Sequence, residues 1–243
     1  MGKIWIGTSG YNYRHWKNIF YPNGTPVNKW LNYYSGHFNS VEINATFYGN
    51  FAKKVFETWR ATTDDDFHFS VKGPGLITHR KKLNNIEAVL KKFTECAWGL
   101  EEKLAVILWQ FPANFHCTAK TREKLKNFTG KLSGKIKHAF EFRHKSWFNE
   151  KIFRLMDKSG AGFVINDSSH FPSAETITGK FVYIRFHGPA GLYSSGYNSK
   201  DLKKWAEKIK KYLKDYDVFA YFNNDAEGLA VKNAKTLKIL TEA

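Results

Sequence analysis

Eight short apolar runs recur about every 30 residues along a 243-residue chain, and seven of them carry charged or amide residues at or near their ends, in several cases spaced two apart. Successive side chains of a strand point to opposite faces, so residues two apart share a face. Val41-Glu42-Ile43-Asn44, Ala139-Phe140-Glu141-Phe142-Arg143-His144 and Val182-Tyr183-Ile184-Arg185-Phe186-His187 each place bulky apolar groups on one face and Glu42/Asn44, Glu141/Arg143 or Arg185/His187 on the other. The same phase recurs in Phe67 to Lys72, Val106 to Gln110, Gly162 to Asp167 and Phe219 to Asn223. Such a chain gathers polar groups at strand ends.

Strand-like runs begin near Lys3, Ser40, Phe67, Leu104, His138, Gly162, Val182 and Val218, and most segments between them have the three-and-four apolar spacing of amphipathic helices. Leu202, Trp205, Ile209 and Leu213 follow a Ser199 suited to cap a helix, and Leu229, Ala230, Ala234, Leu237 and Leu240 follow an Asp225-to-Gly228 turn. Ile86, Val89, Leu90 and Phe93 mark a third helix, and Ile152, Phe153 and Met156 a shorter fourth. Intervening helices impose parallel strands. Eight such units match a (β/α)8 TIM barrel, which needs roughly 250 residues, as a single α/β domain over residues 1–243. The Gly-, Asn-, Tyr- and Pro-rich stretches from Thr8 to Val27 and from His187 to Ser199 read as functional loops.

In that barrel the apolar sets pack on helices and the polar sets point inward, where an unpaired ionised group costs several kcal/mol. Glu42, Lys72, Glu141, Arg143, Asp167, Arg185 and His187 are therefore expected to converge at the carboxyl ends of the strands, where barrel enzymes place their chemistry. Glu42, Glu141, Asp167 and His187 are the candidate catalytic groups; Asn44, Lys72, Gln110, Arg143, Arg185 and Asn223 are the candidate substrate-binding groups. The competing reading is a closed salt-bridge plug, with Glu141 paired to Arg185 or Glu42 to Lys72. It explains single residues better than the whole set, because apolar residues would stabilise a core at least as well.

Other features carry less. Gly7-Thr8-Ser9-Gly10-Tyr11 lacks the spacing of a P-loop or dinucleotide fingerprint, and Gly188 to Tyr197 follows the seventh strand, where barrels often bind phosphate. His79 is a candidate mobile acid or base, Asp225 reads as a turn former, and Trp16, Tyr48 and Trp147 either line the mouth or fill the core. Cys96 reads as packing, and Cys117 as a spectator thiol before it reads as a nucleophile.

The net charge of +16 favours an anionic partner, a small phosphorylated molecule or a nucleic acid, although lysines such as Lys203, Lys204, Lys208 and Lys211 decorate what reads as a solvated helix face. No apolar stretch is long enough to span a bilayer, so no membrane partner is expected. The first residues run straight into a strand without a secretory leader, which predicts a cytoplasmic protein. No cofactor is expected. A divalent metal held by Glu42, Glu141, Asp167 and His187 is disfavoured, because Lys72, Arg143 and Arg185 already supply positive charge. Nothing in the chain speaks to oligomeric state.

Ile6-Gly7-Thr8-Ser9-Gly10-Tyr11, Val41 to Tyr48, Gln110-Phe111-Pro112, Phe140-Glu141-Phe142-Arg143-His144, Ile184-Arg185-Phe186-His187-Gly188 and Tyr221-Phe222-Asn223-Asn224-Asp225 resemble, in order, the motifs of the YecE-like family, domain of unknown function 72. The resemblance covers essentially the whole chain and implies a TIM barrel, but it implies no reaction. A single Pro112 before Ala113-Asn114-Phe115 departs from the double proline common in such proteins. Fold analogy to xylose-isomerase-like and apurinic-endonuclease-like barrels suggests nucleic-acid processing. The leading expectation is an enzyme acting on an anionic, phosphate-containing substrate, nucleic-acid phosphodiester hydrolysis being its most concrete form, with Glu141 or Glu42 as base and His187 as acid. The alternatives are a non-catalytic barrel binding nucleic acid or a phosphometabolite, and a sugar or sugar-phosphate isomerase.

Overall fold

A computed structural model describes residues 1–242. The described residues form nine strands and eight α-helices, alternating except at α2–α3 and β6–β7–β8: β1 (Ile4–Thr8), α1 (Trp30–Ser35), β2 (Ser40–Ile43), α2 (Ala45–Tyr48), α3 (Lys53–Thr62), β3 (His68–Lys72), α4 (Glu87–Ala97), β4 (Leu104–Phe111), α5 (Ala119–Thr129), β5 (Lys137–Phe142), α6 (Glu150–Lys158), β6 (Gly162–Phe163), β7 (Ile165–Asp167), β8 (Phe181–Phe186), α7 (Ser199–Tyr212), β9 (Asp217–Phe222) and α8 (Leu229–Glu242). All strand pairs are parallel and form two sheets, ordered β1-β9-β8-β7 and β2-β3-β4-β5-β6.

The sixth unit differs from expectation. Its strand is interrupted at Val164, so that β6 pairs with β5 and β7 pairs with β8, while the Val164 amide still donates to Phe140 O. A loop, residues 168–180, replaces the expected helix. At the other seam, β1 and β2 meet through side chains: Asn39 Oδ1 accepts from the Ile6 amide and Asn39 Nδ2 donates to Ile4 O. The Tyr34 hydroxyl accepts from the Thr8 amide and donates to Ser40 O, and a single parallel bridge joins Ser9 to Glu42. Gly7 makes that seam possible, because a Cβ there would sit 1.9 Å from Ser40 O. Gly7→Ala is expected to cost about 1–3 kcal/mol through overpacking. Denaturant unfolding checks it; an unchanged midpoint would show that the seam is slack.

The two-residue phase sorts the core. Val41, Ile43, Phe140, Phe142, Val182, Ile184 and Phe186 join the large cluster under the helices. Trp5, Val106, Leu108, Ala139, Val164, Phe181, Tyr183, Phe219 and Tyr221 form a second cluster, drawn from both sheets, on the opposite face. Trp16 and Trp147 are fully buried in the core, whereas Tyr48 is exposed and lines a pocket with Phe47 and His79. Two details of α7 and α8 follow from capping. Asn198, not Ser199, caps α7 by accepting from the Asp201 amide, since the cap residue must lie one position outside the helical backbone. The turn before α8 uses Gly228 in the left-handed region.

Candidate functional site

Every inward position at the carboxyl ends of the strands is polar, and there the chain forms one ion-pair network. Arg185, at the end of β8, grips the Glu42 carboxylate with Nε at 2.9 Å and Nη2 at 2.7 Å, and its Nη1 donates to Glu141 Oε2. Arg143 Nε donates to the other Glu141 oxygen at 2.8 Å. Ser9 Oγ and Tyr183 OH donate to the two oxygens of Glu42 at 2.6 and 2.8 Å. Beneath, Ser40 and Ser70 share hydrogen bonds with Tyr221 OH. The guanidinium plane suits this task because it serves two carboxylates in fixed geometry.

Burial and pairing together set the protonation states. Burial alone would raise the Glu141 carboxyl, but Arg185 and Arg143 hold it well below the usual range. Burial likewise opposes charge on Arg185, and Glu42 and Glu141 more than offset it. Both carboxylates are thus spent as counter-ions, which makes Glu141 a poor general base. His187 accepts from Asn223 Nδ2 at Nδ1 (3.2 Å) and donates from Nε2 to Asn166 Oδ1 (3.1 Å), which is the neutral ring. Burial first, and Arg185 second, bring it down to about 3. At pH 7 the ring is therefore held neutral, with one N–H facing Asn166 and one lone pair facing Asn223.

Lys72 stands apart. The residue is 6% exposed, and its ammonium, which is not among the fully enclosed atoms, has no carboxylate within 4.0 Å and makes no hydrogen bond among the described residues; it lies 4.2 Å from the Phe47 ring centroid. Burial first, and the neighbouring Arg185 second, lower it to about 7. The Glu42–Lys72 pair offered by the plug reading therefore does not form; Arg185 takes Glu42 instead. The Glu141–Arg185 pair does form. His79, on a π-helical turn after β3, packs edge-on to the same Phe47 ring, with Nε2 3.4 Å from Gln110 Nε2. Burial and then Lys72 lower it to about 4.

The network is not closed. Of three buried side-chain atoms without a hydrogen-bond partner among the described residues, two belong to the rim, Asn44 Oδ1 and Asn166 Nδ2; the third, Asn224 Oδ1, lies under the loop after β8. Arg143 Nη1 is also uncommitted: Nη2 meets Tyr193 OH at 3.1 Å, and the guanidinium lies 4.1 Å from the Phe171 ring centroid. Tyr193 adopts φ 63, a left-handed conformation costly for a tyrosine, at the point where its hydroxyl meets Arg143. Phe171 and Tyr193 also pack edge-on against His187, so two loops roof the floor of the rim.

The expected residues Glu42, Asn44, Lys72, Gln110, Glu141, Arg143, Arg185, His187 and Asn223 come together. Asp167 does not. It occupies the outward phase of β7, where Trp205 of α7 donates to its carboxylate and burial raises its pKa. The cleft of about 380 Å³ beside it, lined by Glu175, Asp201, Lys204 and Lys208, lies between β7 and α7; of the rim residues only Asn166 borders it, and none of Glu42, Lys72, Glu141, Arg143, Arg185 and His187 does. Asn166 takes the inward place. Asp225 serves the fold, its carbonyl accepting from Trp16 Nε1 and paired with His15. Cys117 is half-buried, with burial raising its thiol, the opposite of what a nucleophile needs. No group of three or more His, Cys, Asp or Glu side chains is arranged to hold a metal among the described residues, because Arg185 occupies the space between Glu42 and Glu141. No helix of the described residues is long and apolar enough to cross a membrane.

Residues 5–243 match the family model described as "Protein of unknown function DUF72". The chain is 28% identical to UPF0759 protein YunF of Bacillus subtilis over 96% of its own length and 93% of that protein's. It is 28% identical to UPF0759 protein YecE of Escherichia coli K12 over 68% of its length and 59% of that protein's. A DUF72 family crystal structure from Thermotoga maritima superposes with a TM-score of 0.88 at 29% identity, covering 99% of this chain and 100% of that one. One from Enterococcus faecalis superposes with a TM-score of 0.84 at 22% identity, covering 100% and 99%.

Proposed function

The chain belongs to the DUF72 family, and because that membership carries no reaction, we propose that the rim is the substrate site of an enzyme acting on a small anionic, phosphate-containing molecule. The reading takes the two sheets as one closed (β/α)8 barrel, supported by the Ser9–Glu42 bridge at one seam and the shared sixth strand at the other. The observation that carries it is the charge balance. Three cations, Lys72, Arg143 and Arg185, surround two carboxylates, both already paired, and the surplus falls on Lys72, a largely buried residue whose ammonium has no partner. A buried unpaired charge is expensive, and a bound anion would relieve it.

Arg143 Nη1, Lys72 Nζ and the orphaned Asn166 Nδ2 supply donors for phosphate oxygens. Arg185, all three of whose nitrogens serve carboxylates, acts by charge and by positioning. Lys72 is the group whose proton can come and go near neutrality, which suits acid–base work better than Glu42, Glu141 or His187. Glu42, Glu141, Arg185 and His187 are all fully buried, and Phe171 and Tyr193 cover His187, which favours a small phosphorylated substrate over a polymer. The +16 charge supports the second reading, a nucleic-acid phosphodiester.

Inorganic phosphate is expected to raise the melting temperature and to bind with a dissociation constant that weakens about tenfold in Arg143→Met, one lost charge-assisted contact. Phosphate affinity unchanged in both Arg143→Met and Lys72→Met would refute the site. Incubation with sugar phosphates, and with abasic and intact DNA and RNA, separates the two readings; turnover abolished by Lys72→Met is the expected result, and no Lys72-dependent product from any of them would reduce the protein to a binder.

A further inference from the structure

We infer that Lys72 is a nucleophilic amine that forms an imine with a carbonyl substrate carrying an anionic group, an inference that rests on the anion-site reading above. Imine chemistry asks for an amine that is buried, rigidly based, free of a carboxylate partner and reachable from a polar pocket. Lys72 meets the first three, and the charged side chains of Arg185, Glu141 and Arg143 are its polar neighbours. Its backbone is fixed at the end of β3, where it pairs with Leu108 of β4, where its carbonyl accepts from Thr46 Oγ1 at 2.7 Å, and where the following Gly73 amide donates to Leu108 O. Its Nζ makes no hydrogen bond among the described residues, and every carboxylate of the rim is held by an arginine.

The Phe47 face under Nζ limits solvation of the amine without neutralising it. With the ammonium brought down to about 7 by burial and then by Arg185, about half the amine is free base at neutral pH, against fewer than about one in a thousand for an ordinary lysine. Arg143, with Nη1 uncommitted, stands in the same rim to hold the anionic group of the same molecule.

The step balances without a redox partner. The Nζ lone pair forms a C–N bond to the carbonyl carbon as the C=O π pair moves to oxygen, which takes up a proton, giving a carbinolamine. Loss of the nitrogen proton and of the hydroxyl as water yields the imine. His79 Nε2, facing the Gln110 amide and sharing the Phe47 ring with Lys72, is the neighbouring lone pair able to relay that proton.

Dihydroxyacetone phosphate and pyruvate, two carbonyl probes differing in their anion, are incubated separately with the full chain and sodium cyanoborohydride, and the adducts are mapped by mass spectrometry. The expected result is modification at Lys72 at least about tenfold above any other lysine with one of the probes, slowed about tenfold by excess inorganic phosphate and absent from Lys72→Met. Lys72→Arg, which keeps the charge, is expected to keep phosphate binding and lose the adduct. Adducts spread over surface lysines with Lys72 unmodified by either probe would overturn the inference. If phosphate still stabilises that same sample in an Arg143-dependent way, the anion site survives and only the imine fails. Modification of Lys72 that phosphate does not slow would overturn the anionic half of the inference.

Discussion

Replacing Arg185 with methionine is expected to cost about 3–5 kcal/mol of folding stability, more than any other single substitution in the rim. The guanidinium has no exposed surface and all three of its nitrogens donate to carboxylates. Without it, Glu42 keeps only the Ser9 and Tyr183 hydroxyls, and Glu141 keeps only Arg143. Two buried carboxylates are then under-compensated, and the loss measures their desolvation rather than the worth of the pairs themselves. Arg185→Met combined with Glu42→Gln is therefore expected to recover part of the loss, because removing the orphaned charge removes its penalty. Urea unfolding of the two variants checks both statements. A loss below about 1 kcal/mol for the single variant would mean that water enters the rim and that the network is not buried as described.

Lys72 is expected to reverse the usual pH behaviour of a lysine. Below pH 7 the ammonium is charged in both the folded and the unfolded chain, and the folded state bears the full burial penalty. Between about 7 and the unfolded value of 10.5 only the unfolded chain retains the proton, so folding releases one and stability rises with pH. At about 1.4 kcal/mol per pH unit, the gain between pH 7 and 9.5 is on the order of 3 kcal/mol. Above pH 10 the buried Tyr34, Tyr183 and Tyr221, whose hydroxyls are pushed up first by burial, begin to oppose it, because the unfolded chain ionises there and the folded one does not. Lys72→Met is expected to flatten the rise and to be more stable than the parent at pH 6 to 7 in phosphate-free buffer. A parent whose stability is level from pH 7 to 9.5 would show that the ammonium is paired or hydrated.

The acid side has the same origin as the Lys72 rise, burial of groups that would carry positive charge. His187 is kept neutral down to about 3 and His138, also chiefly by burial, down to about 4, so the unfolded chain takes up protons first as pH falls below 6.5. Stability is expected to decline through that window, with the slope reduced in His187→Gln.

Much of the site was legible because one periodicity fixes it. Residues two apart in β2, β5 and β8 share a face, so Glu42, Glu141, Arg143, Arg185 and His187 could be assigned inward before any contact was known. The same rule, applied strictly to β7, selects Asn166; Asp167 is the more reactive residue type but lies one position out of phase, and it meets Trp205 on the helix side. Partners were less legible than faces. Glu42 and Arg185 are 143 positions apart, and nothing local indicates that Arg185 rather than Lys72 takes the carboxylate. What decides is geometry: a planar fork can serve Glu42 and Glu141 at once, whereas an ammonium on a flexible stem is a point charge. The roof formed by Phe171 and Tyr193 was hidden because both come from irregular loops, and loops carry no period from which a face can be read.

A titration of the Lys72 ammonium by NMR, in the intact chain with and without inorganic phosphate, tests the surplus positive charge of the rim most directly. The expected midpoint is near 7 without phosphate, moving up by at least about one unit when phosphate is bound, because a bound anion favours the charged amine. A midpoint near 10.5 that phosphate leaves unmoved would contradict it.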